Sequence, residues 1–404
     1  MVRVSRILGL LALAVLSVSS AIAAERRIVV FSAQTSPAQR VQLAQAAGGV
    51  VVRELPIINA VVIEHANKVS IAEAKLLGLS EVTRVDQDPM INWLSMADAR
   101  GADFALPSTA GILKNISALK ALQSARPAHL AGTQETPWGI DRVKAPEAWK
   151  TTRGEGVKLA VIDTGIDRTH PDLAGNLKGG WNTITKTADF NDDNGHGSHC
   201  SGTITAIDND LGVIGVAPKV DLYGVKVLNA QGSGTFSDVI AGMQWAIDNK
   251  MQIASMSLGA NQGNQSLADA VAAMAKAGVI LVAAAGNSGS SVGFPAAYPG
   301  AIAVAASDSN NQLASFSSRG VQVAVIAPGV AVKSTHKNGG YATLQGTSMA
   351  TPHVAGLVAL YVATHKGATP AQARAALSAS ASKLPGVPDI GQGSGLPNAA
   401  KLVR

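Results

Sequence analysis

The sequence predicts an α/β fold with a mostly parallel central sheet covered by helices on both faces, preceded by a small α+β domain. Three observations lead there. From about residue 133 short apolar runs alternate with helix-period segments, the pattern of a parallel sheet. Residues 26–88 instead follow the order β-α-β-β-α-β, that of a ferredoxin-like split unit. Forty-one glycines and only 4% aromatic residues suit tight turns and close packing of small side chains.

In the first unit, 27–31, 49–54, 58–64 and 82–85 read as strands, and 37–47 and 70–77 as helices. Residues 95–132 mix Gly, Pro and Ser with one short amphipathic piece at 112–122 and read as a linker. Beyond it, apolar runs at 157–162, 220–227, 253–256, 279–284, 301–305 and 323–326 predict strands. Helical periodicity predicts helices at 236–249, 267–277 and 348–364. In such sheets ligands bind at the carboxyl ends of the strands, so polar residues just after a strand are the ones to inspect.

The 404 residues are 47% hydrophobic and 15% charged, enough for a sizeable core. Part of the apolar excess lies at the start. Arg3 and Arg6 precede an apolar run over 7–18 and then small residues over 19–24, the order of a secretory signal peptide. That run is too short to span a bilayer well, and nothing later is longer, so an exported, extracellular protein that does not enter the membrane is expected. The net charge of +6 carries little meaning once divided. Residues 1–132 hold 13 basic and 9 acidic side chains, and 133–404 hold 20 and 18, with no basic patch, which argues against nucleic acid. Cys200 is the only cysteine, so no intrachain disulfide can form. A large core or a bound metal must supply the stability instead.

Three stretches carry chemistry. GTSMATPHVAG (346–356) starts an apolar helix with Gly-Thr-Ser. Ser348 there is either part of an ordinary helix start or a nucleophile at a helix N-terminus, where the dipole favours a developing anion. A serine hydroxyl needs a base and a group to orient that base. Asp163, in AVIDTGID, directly follows a buried strand and could equally be a turn former. His196 sits in NDDNGHGSHCSGTI and leads into a helical segment. His196 and His199 at i, i+3 suggest a metal pair, but no third ligand follows at zinc spacing.

Taken together, VIDTGID, HGSHCSG and GTSMATPHVAG resemble the three motifs of the subtilisin-like serine proteases, in the family's order Asp, His, Ser. The resemblance covers residues 134–404 and implies the subtilisin-like three-layer fold. It makes Ser348 the nucleophile, His196 the base and Asp163 its orienting partner. Asn287, in VAAAGNSG, matches the family's oxyanion asparagine. No Gly-x-Ser-x-Gly elbow surrounds Ser348, which argues against an α/β-hydrolase.

Further carry-overs follow from the same resemblance. Gly232-Ser233-Gly234 and Ser257-Leu258-Gly259 match the segments that sandwich an extended peptide as added strands. Gly293 matches the base of the pocket for the residue before the cut, and neighbouring Ser288 brings no charge, so large apolar residues are the expected preference. Phe236, Val239 and Leu258 are expected to form a second apolar pocket. A calcium site is implied at Gln134, Asp172 and Asn209 and at the carbonyls of Ile207, Leu211 and Val213, leaving Asp208 and Asp210 as surface charges. Cys200 resembles the free cysteine of some branches of the family.

The resulting organisation is a signal peptide (1–24), an inhibitory propeptide (25–94), a linker removed on maturation (95–132) and a peptidase domain (133–404). In the family's common arrangement the propeptide runs almost directly into the mature chain, so the long linker departs from it and implies two cuts. The expectation is a secreted, calcium-stabilised, monomeric endopeptidase that acts on proteins and peptides and is inhibited by its own propeptide. Two alternatives share the motifs: a narrow processing protease and a catalytically silent binding protein of the same fold.

Overall fold

The computed structural model describes residues 25–65, 69–95 and 134–404. The expected signal peptide, and all of the expected linker but Ser95, lie outside the described residues. The first unit runs β1 (Glu25–Phe31), α1 (Pro37–Ala46), β2 (Val50–Leu55), β3 (Ala60–His65), α2 (Val69–Leu77) and β4 (Val82–Gln87), with sheet order β2-β3-β1-β4. Its strands pair antiparallel. Strand alternation explains how it packs. Val29, Phe31, Val61 and Ile63 face α1 and α2 and form a core with Ala44 and Leu76. Ile28, Val30, Ala60 and Val62 point the other way and join the larger core of the second unit. The small sheet is therefore apolar on both faces.

The second unit is built on a seven-stranded sheet: β6 (Lys158–Asp163), β7 (Leu177–Asn182), β8 (Asp221–Lys226), β10 (Ile253–Met256), β11 (Ile280–Ala284), β12 (Ala301–Ser307) and β13 (Val323–Pro328). A short strand, β9 (Ser233–Thr235), lies outside it. The sheet order is β13-β12-β11-β10-β6-β8-β7, and every pair is parallel. Strand β6 is the pivot: β8 and β7 lie on one side of it and β10 to β13 on the other. The carboxyl end of such a pivot is where open α/β sheets leave a crevice, and the last residue of β6 is Asp163.

All six strands and all three helices expected in this unit are present. Helix bounds move with their caps: Asn264 accepts from the Leu267 N–H, so that helix spans Gln265–Lys276 rather than starting at 267. Strand β7, LKGGWN, was not expected, because two glycines interrupt its alternation; it lies at the sheet edge, where burial is partial. The hairpin β14 (Val332–His336) and β15 (Gly340–Leu344) was also missed, as was the helix Pro370–Ser380. That helix opens on a Thr369/Gln372 capping box with Pro370 behind it, so its signal lay in the caps rather than in an apolar stripe.

Candidate active site

Ser348 lies in the first turn of the helix Thr347–Thr364, which is buried from Thr347 to Leu360. The helix contains Pro352, and proline lacks the N–H that would bond the carbonyl four residues earlier. That carbonyl belongs to Ser348. It accepts instead from the Ser257 hydroxyl at 2.9 Å and from the Cys200 thiol at 3.6 Å. In return the Ser348 hydroxyl donates to the Ser257 carbonyl at 3.1 Å. The proline in the motif thus frees a group that anchors the helix start to the end of β10.

His196 opens the helix His196–Thr205, buried along its whole length. Its Nδ1 lies 2.8 Å from Asp163 Oδ1, and both side chains are almost fully buried. Asp163 also accepts from the following Thr164 N–H at 2.7 Å. The glycine after His196 is required, since a Cβ at Gly197 would lie 2.1 Å from the Gly165 carbonyl. Cys200, one turn on, places its sulfur 3.9 Å from His196 Nδ1, and burial raises its pKa, so it stays a thiol. His199 is not paired with His196 for a metal. Its Nε2 sits 3.1 Å from the carbonyls of both Val332 and Ala342, and burial holds its pKa down at about 3.

Asn287 follows β11. Its side-chain oxygen accepts from the Thr347 N–H and hydroxyl, while its Nδ2 is buried with no hydrogen-bond partner. A buried amide donor left unpaired is costly unless something else uses it. Gly293 donates to the Ala285 carbonyl, and the next residue, Phe294, exchanges two hydrogen bonds with Ala260. Gly293 is thereby set behind the segment Ser257-Leu258-Gly259.

The chain's own N-terminal unit occupies the groove between the two expected edges. Strand β5 (Met90–Asn92) pairs antiparallel with β9, where Ile91 faces Gly234 and Asn92 faces Ser233. Trp93 donates its N–H to Gly232 O and accepts from Gly259 N, both at 3.0 Å. Its indole is fully buried edge-on to Phe236, centroids 5.1 Å apart, and Nε1 donates to the Gly234 carbonyl. Beside this strand two carboxylates seat helix starts. Asp88 accepts from the N–H and hydroxyl of Ser237, and Asp86 accepts from those of Ser266.

The residues expected to hold calcium also come together. Asp172 is fully buried and accepts from Asn209 Nδ2, the Val213 N–H and the Tyr341 hydroxyl. The Gln134 amide reaches the carbonyls of Ile207 (2.5 Å) and Val213 (3.0 Å) and lies 3.5 Å from Asn209 Oδ1. Leu211 enters through its N–H, which donates to Asn209 Oδ1. Gly212, at φ +49°, leaves room a side chain would fill: a Cβ would lie 2.5 Å from Asp172 Oδ2. The carbonyls of Ile207 and Val213 and the side-chain oxygen of Asn209 converge on the Gln134 amide, with the Asp172 carboxylate beside Asn209, an oxygen-rich set that suits a hard cation. Asp208 pairs with Arg153 at the surface, and Asp210 is exposed.

Sequence reasoning passed over Asp192, Thr164 and Lys226. Buried Asp192 accepts from Thr164 Oγ1, from the N–H groups of Asn194, Gly195 and Ser198, and from the Ser198 hydroxyl, which holds the turn ahead of His196. The paired acids of NDDNGHG were the signal available for it. Among the described residues no helix is long and apolar enough to cross a membrane.

The sequence model of the subtilase family matches residues 154–395. The chain is 47% identical over 279 residues to alkaline elastase YaB of Bacillus sp. (strain YaB), covering 69% of this chain and 72% of that protein. It is 47% identical over 273 residues to subtilisin Savinase of Lederbergia lenta, covering 67% of this chain and all of that protein. Over 258 residues it is 47% identical to subtilisin E of Bacillus subtilis (strain 168), covering 62% and 67% of the two chains.

Proposed function

Because the chain belongs to the subtilase family and is a subtilisin-like serine endopeptidase, we propose that Ser348, His196 and Asp163 are its catalytic triad. Ser348 Oγ attacks the scissile carbonyl, while His196 takes the hydroxyl proton and passes it to the leaving amine. Asp163 fixes the imidazole through the 2.8 Å bond to Nδ1 and stabilises the imidazolium. The carbonyl oxygen gathers charge as it becomes tetrahedral, and the unpaired Nδ2 of Asn287 with the Ser348 N–H is the donor pair that meets it. The single observation that carries this reading is the buried Asp163–His196 pair, with Cys200 touching both His196 and the Ser348 carbonyl.

Substrate lies extended between Gly232-Ser233-Gly234 and Ser257-Leu258-Gly259, bound mostly through its main chain, as 90–93 of the same chain lie. Gly293 lines the pocket before the cut, which takes large apolar residues; Phe236, Val239 and Leu258 line a second. Residues 25–94 act as an inhibitory propeptide, 95–132 are removed on maturation, and 133–404 form the mature enzyme. The leader at 1–24 directs secretion. Gln134, Asp172, Asn209 and the carbonyls of Ile207, Leu211 and Val213 hold a structural calcium ion, which contributes stability and takes no part in the chemistry.

The test is Ser348→Ala in the full chain. The variant should neither process itself nor take up a fluorophosphonate probe that labels the parent. Maturation of the variant expressed alone in a protease-deficient host would end the reading.

A further inference from the structure

We infer that Lys226 is a positioning residue for the catalytic triad: its ammonium joins the three chain segments that carry Asp163, His196 and the substrate-binding edge. The inference rests on the triad reading above. Lys226 ends β8 and stands in register with Asp163 on one side and Asn182 on the other. Its side chain is 7% exposed, yet it carries a charge. The Nζ donates to the Thr164 carbonyl at 2.6 Å, to Asp193 Oδ1 at 2.6 Å and to the Leu228 carbonyl at 3.0 Å. An ammonium has three donors, and all three are used.

Each acceptor belongs to a working segment. Thr164 follows Asp163, and its own N–H donates to the Asp163 carboxylate. Its hydroxyl donates to Asp192 and accepts from the Gly197 N–H, beside His196. Asp193 precedes Asn194, whose side-chain oxygen accepts from the His196 N–H. The Leu228 N–H donates to the Asp163 carbonyl, and Leu228 opens the stretch that leads to Gly232. One cation therefore sets the spacing of acid, base and substrate edge.

A buried ammonium is expensive for stability even when paired, and a well-packed apolar side chain would serve the core better. Removing it, however, orphans the Thr164 and Leu228 carbonyls together. Lysine offers a compact charge on a flexible stem, suited to bonding three acceptors from three directions. Its cost makes sense if the return is geometry.

The experiment uses the full chain, with Lys226→Met, Lys226→Arg and Asp193→Ala matured, where they do not process themselves, by wild-type enzyme immobilised on beads. End-point fluorophosphonate labelling counts competent sites, so that kcat refers to folded enzyme alone. Misplaced groups cost rate rather than affinity, so Lys226→Met should lose about 10- to 100-fold in kcat with KM changed by less than about twofold. Lys226→Arg keeps a cation with several donors and should stand at least about threefold above Lys226→Met in kcat. Asp193 is half exposed, so water can take the place of its carboxylate at the ammonium and the alanine variant should fold; loss of one of three tethers should lower kcat about threefold at unchanged KM. Wild-type kcat in Asp193→Ala or in folded Lys226→Met, a loss confined to KM, or no advantage of arginine over methionine overturns the inference. Ser348→Ala runs alongside: if it still takes up the probe, the triad reading itself has failed, whatever Lys226 does.

Discussion

The side-chain oxygen of Asn287 accepts from both the N–H (2.9 Å) and the hydroxyl (3.0 Å) of Thr347, the residue before Ser348. These bonds leave Nδ2 as the only hydrogen-bonding group of the side chain still to be used. Asn287→Ala should therefore fold normally and lose about 10²–10³ in kcat, a size carried over from the corresponding asparagine of subtilisin itself. Near-normal turnover per labelled site would remove Asn287 from the oxyanion hole.

Asp172 brings the one carboxylate to the expected calcium set, and it is fully buried. A cation that binds only the folded chain stabilises it by mass action, about 4 kcal/mol at a thousandfold excess over Kd. Thermal melts of the inactive Ser348→Ala chain should shift upward between chelator and millimolar calcium, and Asp172→Ala should abolish most of that shift. Identical melts of the parent in the two conditions would dismiss the site.

Buried His353 predicts an acid-sensitive fold. Its Nδ1 lies 2.8 Å from the Met349 carbonyl, its Nε2 has no hydrogen-bond partner, and burial lowers its pKa from an ordinary 6.5 to about 4. Between those values the unfolded chain binds the extra proton. Stability is thus full above pH 6.5 and falls as pH drops toward 4, by up to about 1.4 kcal/mol per pH unit. His199, held at about 3, extends the loss further down. Urea midpoints of Ser348→Ala from pH 7 to 4 should show it, and adding His353→Gln should flatten the slope. An unchanged slope would clear His353 of the effect.

Cys200 and Met349 are both fully buried, beside the proposed base His196 and the proposed nucleophile Ser348. A neutral buried thiol reacts slowly with a bulky alkylating reagent, so iodoacetamide should leave activity nearly intact. Mercuric ion is small enough to reach the sulfur and should inhibit. Peroxide should inhibit through a polar sulfoxide next to Ser348. Cys200→Ala should remove only the mercury sensitivity, and Met349→Ala only that to peroxide. Rapid, complete inactivation by iodoacetamide at neutral pH would show that the thiol is exposed.

The proposed catalytic groups stand out in the sequence because local punctuation marks each of them. Asp163 ends an apolar run, His196 and Ser348 follow glycine-containing turns into helices, and Asn287 sits in a Gly-Asn-Ser turn. The resemblance to a family then joined them. Lys226 was not legible, since in DLYGVKVL it reads as one polar residue in a strand, and its burial depends on segments more than 30 residues away. Asp192 and Asp193 are adjacent acids in NDDNGHG, and nothing local tells that Asp192 is buried while Asp193 is exposed. The hairpin Val332–His336/Gly340–Leu344 went unseen because it is buried by contact with the His196 helix, as in Thr335 to the Ser198 carbonyl and Ser334 to that of His199, and not by its own apolar content.

The strand Met90–Asn92 and the carboxylates Asp86 and Asp88 join the two units while one covalent chain holds them together. Attachment by a linker acts as a local concentration, which keeps a weak contact closed however dilute the solution. A cut between residues 95 and 133 would leave the contacts of the described residues in place but abolish that local concentration. The severed unit then stays only as long as its own dissociation rate allows, and the open fraction begins to depend on total protein. On the inhibitory role proposed for 25–94, activity after the cut would then depend on dilution and on time.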